Sequence, residues 1–373
     1  MDKQNQYTQF KRYLLALFPP KITNSESQQG ITMIEMIASM LISSLVVAFA
    51  FNGFAYYRQS FLRDQSRNRV NQSFGGVSTL IGPDILQIGE GLTDDPRFPA
   101  VEVRQTPIPG TDPVENSSEI LIRKAVITDS LPLCADITAG TSTNVLIFDD
   151  TGGGEPGCDL IDNDGDGVPD LLANWSRNRQ TRGGTVRAYI YDGASDWEFF
   201  DYTGEITQDG SGNVITPSGS NPAELALLTT NSHTWANNYS ASGSSKIYII
   251  EERLYRLSRS AGEESGTLQL IVDRNTANPL DLASNIENFE ILINVAEDAQ
   301  ATTTFNCTVI PPTVQAHCPD YTNFADYSWA QIQDIQVTTT LNLDDEDLPQ
   351  NVEFREEDLR LTEKFFPRNV FSF

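Results

Sequence analysis

A chain of 373 residues, 39% hydrophobic and 20% charged, is long enough to bury a sizeable core, and one globular body beside a membrane segment is its simplest partition. Its formal charge of −26 makes a surface that repels nucleic-acid backbones and acidic polysaccharides, so no nucleic-acid partner is expected. It carries no Walker motif, no glycine-rich dinucleotide loop and no internal repeat, which sets aside nucleotide enzymes and solenoid arrays.

The first 30 residues hold Lys3, Lys11, Arg12 and Lys21 against Asp2 and Glu26, a net charge of +2, so the remainder carries −28. Gly30 then opens an apolar run, Ile31-Thr32-Met33-Ile34-Glu35 onward to Phe51, whose one carboxylate is Glu35. It is the one stretch long and apolar enough to cross a membrane. An ionised side chain among packed apolar helices costs about 2.5 to 3.5 kcal/mol at a bilayer centre, so Glu35 needs a partner. An amine at Ile31 would lie one helical turn away, and the carboxylate would sit near the positive end of the helix dipole.

This glycine, small polar residue and glutamate ahead of an apolar helix resemble the processing signal of the type IV pilin and pseudopilin family. The resemblance implies cleavage between Gly30 and Ile31 by a prepilin peptidase, with methylation of the new amino terminus. It also implies packing against other pilins through the N-terminal helix, with Glu35 of an incoming subunit neutralising its neighbour's amine and setting the axial register. A secretory signal would place its apolar core before the cut; here that core follows it and stays on the mature chain. Residues 1–30 are therefore expected in the cytoplasm, the helix in the inner membrane and the head in the periplasm or at the cell surface. Arg58, Arg63, Arg67 and Arg69 follow the apolar run and favour the opposite orientation by charge alone. The peptidase motif and the cysteines beyond the helix outweigh them.

Beyond the membrane the helix is expected to continue amphipathically through Phe54, Tyr57, Phe61, Leu62, Val70 and Phe74, with Gly75-Gly76 and then Gly82-Pro83 as breakers. This divides the chain into a leader (1–30), a membrane and stalk helix (31–74) and a β-rich exported head (75–373) with a polar insertion over 135–245. Alternating or β-branched stretches predict strands over 119–127, 185–191, 246–252, 253–258, 267–273, 289–295 and 334–343, with 246–257 as a tight hairpin. Residues 135–184 and 203–245 are rich in Gly, Ser, Thr, Asn and Asp, which predicts surface insertions without a core of their own.

Within the insertion, Asp162-Asn163-Asp164-Gly165-Asp166-Gly167-Val168-Pro169-Asp170 matches the first nine positions of an EF-hand-type loop. Hard oxygens from Asp162, Asp164, Asp166 and Asp170, with the Val168 carbonyl, suit Ca²⁺ as a structural ion. Ala173 stands where the bidentate glutamate belongs, and Pro169 argues against helix-loop-helix flanks, so the loop is nearer to thrombospondin-type or dockerin-type calcium loops. The four cysteines, Cys134, Cys158, Cys307 and Cys318, suit disulfides in an exported domain. Three pairings are open; the local ones, Cys134–Cys158 and Cys307–Cys318, each close a polar loop and are the expected pair. Zinc is the alternative, but no CxxC spacing supports it.

Catalysis has little footing. His233 and His317 lie in polar loops without a nucleophile at a recognisable spacing, although His317 adjoins Cys318. The run Asp344, Asp345, Glu346, Asp347 reads as a solvated loop, and Trp197, Trp235 and Tyr239, which could face a ligand where exposed, read as core, so no ligand site is assigned.

Towards the C terminus, Tyr255-Arg256-Leu257, then Leu282 to Ile291, then Trp329 with Ile332 to Val337, then Phe365-Phe366-Pro367-Arg368-Asn369 are similar in order to the C-terminal half of PilW-type minor pilins and J-type pseudopilins. That resemblance implies an α+β fold, the long helix packed on an antiparallel sheet in a pilin roll, and a non-enzymatic assembly subunit near a filament tip. A filament-displayed adhesin or cargo-binding module is the alternative, with polysaccharide secretion as a cargo role, since the long acidic head also resembles pseudopilins proposed for that task.

Overall fold

The computed structural model describes residues 32–92, 98–108, 116–152, 157–194, 196–242, 245–296, 304–319, 321, 327–342 and 359–368. The leader, Gly30, Ile31, the Asp344–Asp347 run and Asn369 lie outside them. The described residues form two units, one ending at Leu62 and the other starting at Arg63.

In the first unit, helix α1 (Met33–Leu86) begins. Between Glu35 and Arg58 it carries no charged side chain, and Met33, Leu41, Phe49, Phe54, Tyr57 and Phe61 are all exposed. The helix is long and apolar enough here to span a membrane.

In the second unit the rest of α1 buries Val70, Phe74, Val77, Ile81 and Ile85. Their spacing of three or four residues keeps them on one face. The helix runs through Gly75-Gly76 and Gly82-Pro83, where the sequence predicts breaks, and the stalk boundary moves from 74 to 86. Packing overrides the propensity: each buried Val, Ile or Phe is worth about 1.5 to 3 kcal/mol, against about 1 for a helical glycine. Gly82 is also needed sterically, because a Cβ there would lie 2.8 Å from the Phe365 ring.

The strands are β1 (Val101–Pro107), β2 (Asn116–Ala125), β3 (Leu131–Pro132), β4 (Val145–Asp149), β5 (Val186–Tyr191), β6 (Trp197–Tyr202), β7 (Gly204–Gln208), β8 (Leu225–Thr229), β9 (Lys246–Ser258), β10 (Gly266–Val272), β11 (Leu280–Ala296), β12 (Thr304–Cys307), β13 (Ile332–Leu341) and β14 (Arg360–Phe365). A second helix, α2 (Asp170–Thr181), follows β4. The described strands build an antiparallel sheet in the order β1-β2-β9-β10-β11-β13-β14, with β12 on β11, β3 and β5 on β9, and β6 on β5. A smaller sheet runs β4-β8-β7. One long helix with a large antiparallel sheet makes this an α+β protein.

The expected hairpin over 246–257 is one continuous strand. Residues 120–125 of β2 pair with 255–250 of β9 without interruption. Glu251 and Glu252, at the supposed turn, offer none of the chemistry of a two-residue turn and instead accept ion pairs from Arg182 and Arg123. Because β9 is uninterrupted, its alternation feeds two cores. Tyr248, Ile250 and Tyr255 join the core under α1, whereas Ile247 and Ile249 join a second core. The second core holds Trp175, Phe200, Tyr202, Trp235 and Tyr239. The expectation of coreless insertions is thus overturned: a few large aromatics spaced far apart among polar residues supply a compact interior that average composition hides.

Candidate functional site

At the start of α1, Glu35 Oε2 accepts the Thr32 amide and the Thr32 hydroxyl, each at 3.0 Å, while the Glu35 amide lies 3.4 Å from Thr32 Oγ1. This reciprocal arrangement is a capping box. The Thr-x-x-Glu signal for it stands openly in the sequence, and a reading centred on the Ile31 amine passes over it. Glu35 therefore serves the helix start of a single chain as well as any role between chains.

The acidic loop brings Asp162, Asp164 and Asp166 together, with carboxylate oxygens within 4.8 Å of one another and all three side chains exposed. Asp162 accepts the Gly165 amide at 2.8 Å and the Gly167 amide at 2.9 Å. The Gly167 amide bond leads the causes that hold the Asp162 carboxyl below its ordinary pKa. Asp164 accepts the Asp166 amide, which alone would lower its pKa, but desolvation and the charges of Asp166 and Asp162 leave it raised. Asp170 does not join the three. It begins α2, and its carboxylate accepts the amide and side chain of Asn163. Val168 packs against the second core and donates its amide to Asp166. The helix directly after Pro169 was not expected; proline suits the entry to a helix, where its missing N–H is no loss. Three convergent exposed carboxylates assign no ion by themselves.

The loop is seated on its neighbour. Gly167, at φ +90°, accepts the Ala223 amide with its carbonyl, and a Cβ there would lie 2.4 Å from the Ser218 carbonyl oxygen. Gly165, at φ +72°, faces open space. Gly167→Ala is expected to cost about 2 to 3 kcal/mol and Gly165→Ala about 1. Thermal unfolding of the two variants side by side checks the difference.

Both local disulfides are present, Cys134–Cys158 and Cys307–Cys318. The first pins the segment entering the acidic loop beside β4, where the Asp149 amide donates to the Cys158 carbonyl. His317 adjoins Cys318, whose sulfur is thus engaged. His233 Nε2 lies 2.6 Å from Glu198 Oε1, and Glu198 also accepts the Ala236 and Asn237 amides and the Tyr239 hydroxyl. Trp235 and Tyr239 are core, each 1% exposed, whereas Trp197 is only partly covered.

Sequence reasoning missed the buried Asp84. Its carboxylate, on α1, accepts Arg253 Nη1 at 2.7 and 2.9 Å and the Tyr255 hydroxyl, both from β9. Burial alone would lower the Arg253 pKa, but Asp84 and Glu251 hold it above the ordinary value. Burial, reinforced by Asp84, raises that of Tyr255. The aspartate is visible in sequence, yet its partners lie some 170 residues away, beyond any local pattern.

Comparison with protein-family models, curated proteins and solved structures gives no significant match to this chain.

Proposed function

We propose that this protein is a type IV pilin-like subunit, a minor pilin or pseudopilin of the PilW or J-type kind, held in the inner membrane by α1 and built into a filament through it. One observation carries the reading: Gly30 and Glu35 stand at prepilin spacing ahead of an exposed apolar helix that continues without a break onto an antiparallel sheet. The C-terminal segments that carry the second resemblance support it, since their described residues fall on β9, β11, β13 and β14 or beside them. On this reading the head is a pilin roll enlarged by the second core. The leader is removed by a prepilin peptidase, and the partners are other pilins.

Glu35 has two roles to separate. Glutamine also serves a capping box but carries no charge. Glu35→Gln is therefore expected to keep cleavage and membrane insertion and to lose most incorporation into sheared filaments, by tenfold or more on an immunoblot. Incorporation at the unsubstituted level would remove the charge from the account of register and leave Glu35 a helix cap.

A further inference from the structure

A cavity of about 500 Å³ opens beside β1, within the size range of small-ligand sites. Its walls include Trp197 from β6, Tyr327, Ile310 and Pro311, and from β1 the side chains of Glu102 and Arg104. Three of the four tryptophans, Trp175, Trp235 and Trp329, are at most 1% exposed; Trp197 is the one left partly uncovered. The Tyr327 hydroxyl is covered and has no hydrogen-bond partner. Burial pushes its pKa up, so it stays a protonated donor.

The charges around the cavity cancel. Glu102 is bound by Arg104 at 2.5 Å and by Arg123 at 2.5 Å, and Arg123 is in turn bound by Glu252 at 2.8 Å. Burial alone would raise the Glu102 pKa, but the two guanidiniums more than reverse this and keep it ionised as a fixed acceptor. Arg104, 69% exposed, keeps N–H donors free at the rim.

We propose that this cavity binds a ring of a neutral saccharide, one C–H face on the Trp197 indole and its hydroxyls on Glu102 and Arg104. An ionic ligand gains little from the one carboxylate and one guanidinium of the lining, Glu102 and Arg104, which already pair with each other. A proline-rich peptide brings acceptors but no N–H, and so leaves unused the acceptor positions of Glu102 that the two guanidiniums do not fill. An apolar ligand desolvates the rim ion pair without replacing its hydration. Sugar hydroxyls donate and accept, and ring C–H groups suit an aromatic face.

The site lies wholly in the second unit, so it stands or falls apart from processing at Gly30. The test is isothermal titration calorimetry on the full chain in nanodiscs, which avoids sugar-headed detergents. The probes are cellohexaose, maltohexaose and chitohexaose, with an oligogalacturonate and decaproline beside them. Saturable binding of at least one neutral hexaose is expected, with none of the last two. Trp197→Ala should weaken it at least tenfold and Arg104→Ala several-fold. Arg104 is exposed enough that its variant tests the site even where Trp197→Ala unfolds. No saturation by any of the three hexaoses, a preference for oligogalacturonate or decaproline, or unchanged affinity in the Trp197 and Arg104 variants would overturn the proposal.

Discussion

Asp84→Ala is expected to lower the unfolding free energy of the head by about 3 kcal/mol, because it strands a guanidinium and a phenol that are built around one carboxylate. Asp84 is 3% exposed and sits where α1 meets β9. Breaking a buried pair from one side typically costs about 3 to 5 kcal/mol. The lower end applies here because Arg253 keeps Glu251 at 2.5 Å and is itself 32% exposed. Asp84→Asn keeps the shape and one acceptor, and should fall between alanine and the unsubstituted protein. Denaturant unfolding of the three proteins decides; a loss under about 1 kcal/mol for alanine would mean that this contact does not fasten the helix to the sheet.

Trp175→Ala is the second large effect, about 3 to 5 kcal/mol. Its indole is fully buried on α2, 6.0 Å from the Tyr202 ring, and its N–H has no partner, so the loss is one of packing and cavity formation. Trp175→Phe should recover more than half. Because β9 feeds both cores, the two halves of the second unit are expected to unfold together, and the alanine variant should move the whole transition. A shift of less than about 1 kcal/mol would return residues 135–245 to the status of surface insertions. A separate early transition would show that β9 does not couple the cores.

What was legible in the sequence follows from how far each signal reaches along the chain. The apolar helix and Glu35 announce themselves within twenty residues, and both disulfides close short loops, 24 and 11 residues apart. Strands β2, β5, β10 and β13 show in their alternation to within a few residues. Failures came where tertiary packing decides. Gly75, Gly76, Gly82 and Pro83 are local breakers, yet the buried stripe from Val70 to Ile85 keeps α1 intact. Glu251-Glu252 looked like a turn because an alternating pattern cannot distinguish a hairpin from one strand serving two cores. Trp235 and Tyr239 read as core one by one, but the second core as a unit is not legible, because its large side chains, Trp175, Tyr202, Trp235 and Tyr239, are scattered among polar residues and meet only after β5, β6 and β9 have paired. At the acidic loop Asp162, Asp164 and Asp166 come together, as their alternate spacing suggests, whereas the Asp170 carboxylate, at the start of α2, accepts from Asn163. Glu35 carries the opposite lesson. Its spacing points to the Ile31 amine, of its own chain or of a neighbour, while Thr32, three residues away, is the partner it binds.

The most direct test of the filament reading is the mass of the mature N terminus, measured on protein from its native membrane with the prepilin peptidase present and deleted. The account predicts a chain that begins at N-methylated Ile31 when the peptidase is present and keeps residues 1–30 when it is not. An N terminus that is the same in both, with the leader retained, would contradict it and leave an anchored acidic α+β domain whose Gly30 and Glu35 coincide with a prepilin signal by chance.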